Sequence, residues 1–102
     1  MATGNNTVSF TTPVQKHKVV IKSFLTGFDQ ETIDYQHEVV DEDKLTGTQR
    51  ATRKTIEIAV LSIDGDDKDI VDKWLAMDLR DYQEVIAQIN KITEPLPKKS
   101  VS

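Results

Sequence analysis

The densest group of side chains able to do chemistry is Asp64-Gly65-Asp66-Asp67-Lys68-Asp69. Asp64 and Asp66 have the spacing of the first two ligands of an EF-hand calcium loop. Such a loop needs glycine at its sixth position for a sharp turn and glutamate at its twelfth as a bidentate ligand. Here those positions hold Asp69 and Leu75. The pattern instead fits a turn followed by helix caps, because short carboxylates accept from the unpaired N–H groups of a helix's first turn. The two imidazoles, His17 and His37, lack a second His or carboxylate at metal-ligand spacing on one helix face. No Ser stands in G-x-S-x-G, and the four glycines are scattered rather than gathered into a phosphate loop. The remaining Asp and Glu residues are too numerous and too evenly spread to nominate a general acid and base. These observations predict no catalytic residue, no metal site and no cofactor, so the chain reads as a non-enzyme.

The totals narrow the partner classes. A chain of 102 residues is one domain with a modest core. Its net charge of −4 repels phosphate backbones, which argues against nucleic-acid binding. The absence of cysteine removes disulfides, thiolate zinc sites and a Cys nucleophile. No apolar run approaches the length of a membrane span, and the first residues lack the basic-then-apolar pattern of a secretory signal. A cytosolic protein is the expectation.

The elements that must position any site follow from periodicity. Residues 1–7 are small and polar and are expected to be disordered. Val8 and Phe10 alternate with polar neighbours as a short strand. His17 to Leu25 is rich in β-branched and aromatic residues, with Val19, Ile21 and Leu25 on one face and Val20 and Phe24 on the other. The two segments are predicted to pair as a hairpin through Thr12–Lys16. Thr26 caps a short helix with Asp29 and Glu31 in its first turn and Phe28, Ile33 and Tyr35 as its apolar residues. His37 to Asp43 reads as an acidic extended stretch, with Val39 and Val40 its buried members. Thr46 with Gln49 has capping-box spacing and opens a helix from about Gly47 to Ser62, although the alternation of Ile56, Ile58 and Val60 also allows a strand over residues 55–61. Arg53 and Glu57, four apart, can pair on its side. Asp67 or Asp66 would cap a short helix carrying Ile70, Val71 and Trp74. Asp78 would cap the last helix, with Met77 and Tyr82 as a hydrophobic staple and Tyr82, Val85, Ile86, Ile89 and Ile92 as an apolar stripe. Pro95 and Pro97 end it. The predicted fold is α+β: a small N-terminal β-hairpin packed on a bundle of about four short helices, forming a single domain over residues 8–93 with a flexible tail over 94–102.

Two candidate interaction regions remain. Trp74, Leu75, Met77 and Leu79 crowd the junction before the last helix. Core packing accounts for such a group, but any part left uncovered would form a partner site or a self-association patch. Arg50, Arg53 and Lys54 form a small basic group on an acidic chain. They suit either a solvated helix face with local ion pairs or contact with an acidic partner.

The middle and C-terminal half resembles phage tail assembly chaperones. The residues that carry the likeness are Ala59 to Gly65 as a helix ending in an I-D-G turn, Asp69 to Leu75 as a short helix with an acidic start, and Met77 to Tyr82 as a D-L-x-D-Y helix opening. Upstream, Val19 to Asp29 is similar to the strand and turn that open many such proteins. The likeness covers about residues 17–93. It implies a non-enzymatic role: binding the tape-measure protein, keeping its long apolar helices soluble and helping to recruit tail-tube protein. It also implies action in the infected bacterium's cytoplasm and absence from the mature virion. In many such families a longer form arises by ribosomal frameshifting near the end of the short form, and Lys98-Lys99 would suit a slippery A-rich run. The residues placed at the partner surface are Trp74, Leu75, Met77, Leu79, Arg50 and Arg53. The alternatives are a minor virion or tail-associated structural protein and a generic protein-interaction adaptor.

Overall fold

The structure, a computed structural model, describes residues 7–38 and 46–93. The expectations for residues 1–6, for Val39, Val40 and the rest of 39–45, and for the tail 94–102 lie outside the described residues. Within them the fold is α+β, with a three-stranded antiparallel sheet and four helices. Strands β1 (Thr7–Thr11) and β2 (Lys18–Lys22) form the expected hairpin, with Phe10 opposite Val19 and Val8 opposite Ile21. Thr7, expected in the disordered start, is the first residue of β1. The third strand, β3 (Val60–Ile63), was not expected as a separate element. Both readings of residues 55–61 hold in part. Helix α2 (Gly47–Ala59) runs three residues short of the expected end, and Val60 turns extended to pair β3 with β2. A single apolar run serves both periods: Ile56 and Ala59 are buried at helical spacing, Val60 and Ile63 at the sheet.

The inner face of the sheet carries Val8, Phe10, Val19, Ile21, Val60 and Ile63 against α2, α3 (Ile70–Leu75) and α4 (Leu79–Thr93). Trp74 is fully buried in this core and stacks on Tyr82, ring centroids 4.1 Å apart, while its Nε1–H donates to the Tyr82 carbonyl at 3.2 Å. Val85 and Ile89 of the α4 stripe are buried, with Tyr82, Ile86 and Ile92 packed against the same cluster. Helix α1 (Gly27–Tyr35) stands beside α2 and buries Ile33 alone.

The caps explain where the helices begin. Thr26 with Asp29, and Thr46 with Gln49, make complete reciprocal capping boxes. Gly47, at the first turn of α2, closely approaches His37: a Cβ there would lie 3.0 Å from the His37 Cα. For α3 the expected cap is corrected. The residue at its N-cap is Asp69, in the left-handed region at φ 53, and its side chain caps nothing. Asp66 instead takes the Lys68 N–H and the Lys73 ammonium. Asp78 does cap α4, accepting the Arg80 N–H at 2.9 Å.

Candidate functional site

The acidic turn resolves into structural work. The Asp64 carboxylate accepts from the His17 ring at 2.8 Å and from the Lys18 N–H at 2.8 Å, and these bonds hold its carboxyl below the usual carboxylate range. The salt bridge from Lys73 and the Lys68 N–H do the same for Asp66. With their oxygens so engaged, these carboxylates are a turn that bolts the β2 entrance to the β3–α3 connection. Among the described residues no group of three or more His, Cys, Asp or Glu could hold a metal ion.

A second carboxylate does unexpected work. Asp81, the third residue of α4, is completely buried. Its two oxygens accept the N–H groups of Val14 and Gln15, at 2.8 and 2.7 Å, across the fold in the β1–β2 turn. Burial alone would push its carboxyl up; the Val14 and Gln15 N–H groups and the Thr12 hydroxyl outweigh burial and hold it below the ordinary value. In α1 and α2 the third helical side chain reaches back to its own N-cap N–H. In α4 that N–H, on Asp78, is taken by Gln15 Oε1 at 3.0 Å. The hairpin turn thus supplies one half of the capping box and receives the other.

The residues expected at a partner surface separate. Trp74 and Met77 are core residues, 1% and 8% exposed. Leu75 and Leu79 are exposed. Leu75 and Arg53 share the wall of a depression of about 320 Å³ with Thr48, Gln49, Thr52 and the edges of Trp74 and Tyr82. Leu79 lies outside that depression, and Arg50 turns away to donate through Nε to the Gln36 carbonyl at 2.9 Å. The expected Arg53–Glu57 pair is replaced by Lys54–Glu57 at 2.9 Å.

The largest exposed apolar side chains were not nominated from sequence. Phe28 and Tyr35 on α1 are 83% and 62% exposed, and Phe24, between β2 and α1, is 55% exposed. Phe24 and Leu61 border a second depression of about 320 Å³ with Thr7, Lys22, Thr26 and Asp29. Lys22 and Asp29 sit 3.8 Å apart at its rim. The signal was available: at 100° per residue, Phe28 and Tyr35, seven apart, share one side of α1, while the buried Ile33 falls on the opposite side. Compared with protein-family models, curated proteins and solved structures, the chain has no match. No described helix is long and apolar enough to cross a membrane.

Proposed function

We propose that this chain is a non-enzymatic tail assembly chaperone of the phage type, which binds the tape-measure protein and assists assembly of the tail tube. The sequence likeness supplies the family. The observation that carries the reading physically is the exposure of three aromatic side chains, Phe28 and Tyr35 on one side of α1 and Phe24 just before it, on an acidic chain of 102 residues. Large, stiff aromatic side chains held out in water by a capped helix are the usual anchors for an apolar stripe of a client helix. The surrounding acidic surface favours solubility of the loaded complex. In this reading the client surface moves from the α3–α4 junction, where Trp74 and Met77 are buried, to α1 and the end of β2.

Co-expression with the tape-measure protein of the same phage or prophage tests it. The double variant Phe28→Asp/Tyr35→Asp places two carboxylates where an apolar face would dock and should abolish co-purification while its circular dichroism stays that of the parent. Undiminished capture by a folded double variant would remove the client from this surface. Failure of the parent to bind any tape-measure segment would remove the function.

A further inference from the structure

We propose that the outer edge of β1 is a self-association edge, at which a second copy of this chain adds its own β1 antiparallel about Ser9. The argument begins with which backbone groups β1 uses. The Thr12 N–H donates to the His17 carbonyl at 2.9 Å, which makes that pair the hydrogen-bonded kind. Such pairs alternate along an antiparallel ladder, so Phe10/Val19 and Val8/Ile21 are hydrogen-bonded and Thr11/Lys18, Ser9/Val20 and Thr7/Lys22 are not. The other side of β2 agrees, because the Lys18 carbonyl accepts from Asp64 on the β3 side at 2.7 Å. The N–H and C=O groups of Thr7, Ser9 and Thr11 therefore point away from the sheet, and no described element accepts them.

Open edges are normally blunted by charge, proline or a bulge. Strand β1 has none of these: Thr7-Val8-Ser9-Phe10-Thr11 is uncharged and regular, and the sheet's irregularity lies between β2 and β3. The other edge is treated differently, since Asp66 folds back across β3 and exchanges both backbone bonds with Ile63. The occupant follows from the symmetry of the strand. A two-fold axis through Ser9 pairs Ser9 with Ser9 of the second copy and Thr7 with Thr11, all in the hydrogen-bonded phase that the free groups require. It also sets Val8 opposite Phe10 in the closer, non-hydrogen-bonded positions. A β-branched residue facing an aromatic one is a favourable cross-strand pair, and it would cover two inner-face side chains that are only partly buried in the single copy. No like charges meet in this register. One strand pair buries less than the roughly 1,000 Å² of a stable interface, so the association is weak and reversible.

The test is amide exchange and sedimentation of the full chain from micromolar up to about 1 mM protein. Protection at Thr7, Ser9 and Thr11 should rise with concentration together with the dimer fraction, while Val8 and Phe10, already bonded to β2, stay constant. Ser9→Pro removes an N–H that β2 does not use, and Ser9→Lys opposes two like charges; each should abolish the concentration dependence and leave the fold intact. A chain that stays monomeric across the range overturns the proposal. So does a dimer that survives both substitutions, or protection of these amides that appears only when a different protein's strand is added.

Discussion

Trp74 gives the sharpest separation between a core residue and a binding residue, because the two roles differ in what its removal would change. Its side chain is 1% exposed, stacks on Tyr82 with an interplanar angle of 12°, and donates its N–H to the Tyr82 carbonyl. Replacing it by Phe keeps a stacking partner but deletes a hydrogen bond worth about 1 kcal/mol net. It also leaves a partly filled space costing roughly another 1 kcal/mol. Trp74→Phe should therefore lose about 2 kcal/mol. Trp74→Ala also forfeits the aromatic pair and should lose about 3–5 kcal/mol. A domain of this size has only about 5–15 kcal/mol in total, so the alanine variant will be marginal at 37 °C. Urea titration followed by circular dichroism reads both values, and an unchanged m-value shows that the same surface unfolds. Client capture by the phenylalanine variant should match the parent. A loss below about 1 kcal/mol for Trp74→Ala, or lost capture by a fully stable Trp74→Phe, would refute the core assignment.

Other substitutions probe the clamps and turns. Asp81 is held below its ordinary pKa, so its stabilisation is fully present above the unfolded value of about 3.9 and is lost as pH falls through the lower folded value. Asp81→Asn, which offers one carboxamide oxygen where the Val14 and Gln15 N–H groups and the Thr12 hydroxyl converge, should lower the melting temperature at pH 7, and the gap to the parent should close only below about pH 4; a gap that is constant to pH 3 would exclude the carboxylate as its source. Gly47→Ala should destabilise by about 1–2 kcal/mol through its approach to the His37 backbone, read by the same urea titration. Asp69 caps nothing from a left-handed backbone, so Asp69→Gly should raise stability by about 0.5–1 kcal/mol; a loss would reveal a role for that carboxylate.

What sequence could and could not show divides along the line between local and distant interactions. The Thr26 cap, the Thr46 box, the α4 stripe and the hairpin are set by residues within a few positions of one another, and all were legible; that Asp29 closes a second box with Thr26 is shown by the structure. The end of α2 was not, because Ile56-Glu57-Ile58-Ala59-Val60 satisfies both periods and only the open side of β2 decides where extended backbone begins. In sequence Asp81 is simply an acidic residue in the first turn of α4. Its partners lie at Val14 and Gln15, on the far side of the fold, and no spacing within α4 announces them. The crowding of apolar residues before α4 allowed either a core or a partner patch, and the structure divides it: Trp74 and Met77 join the core while Leu75 and Leu79 stay exposed, a split that depends on which of them meets distant elements. The exposed aromatics of α1 went unnoticed for the opposite reason: on so short a helix their shared face shows only when each residue's angle is reckoned.

The hairpin's attachment bears directly on the open edge of β1. Among the described residues strand β1 pairs with β2 alone, and it contributes two partly buried side chains, so apolar packing holds it only loosely. What fixes its turn is polar: Asp81 on Val14 and Gln15, Gln15 on the Asp78 N–H, and Asp64 on His17 and Lys18. These bonds join residues far apart in sequence and set the path of the strand that leaves the turn. Pairing with a second copy requires Thr7, Ser9 and Thr11 to lie in one straight, regular edge, and a fraying strand would add ordering entropy to an interface too small to absorb it. Asp81→Asn should therefore weaken the concentration-dependent protection of Thr7, Ser9 and Thr11 at pH 7, although Asp81 lies outside β1. Slower exchange at those amides in the variant than in the parent would show that the clamp restrains the edge rather than presenting it.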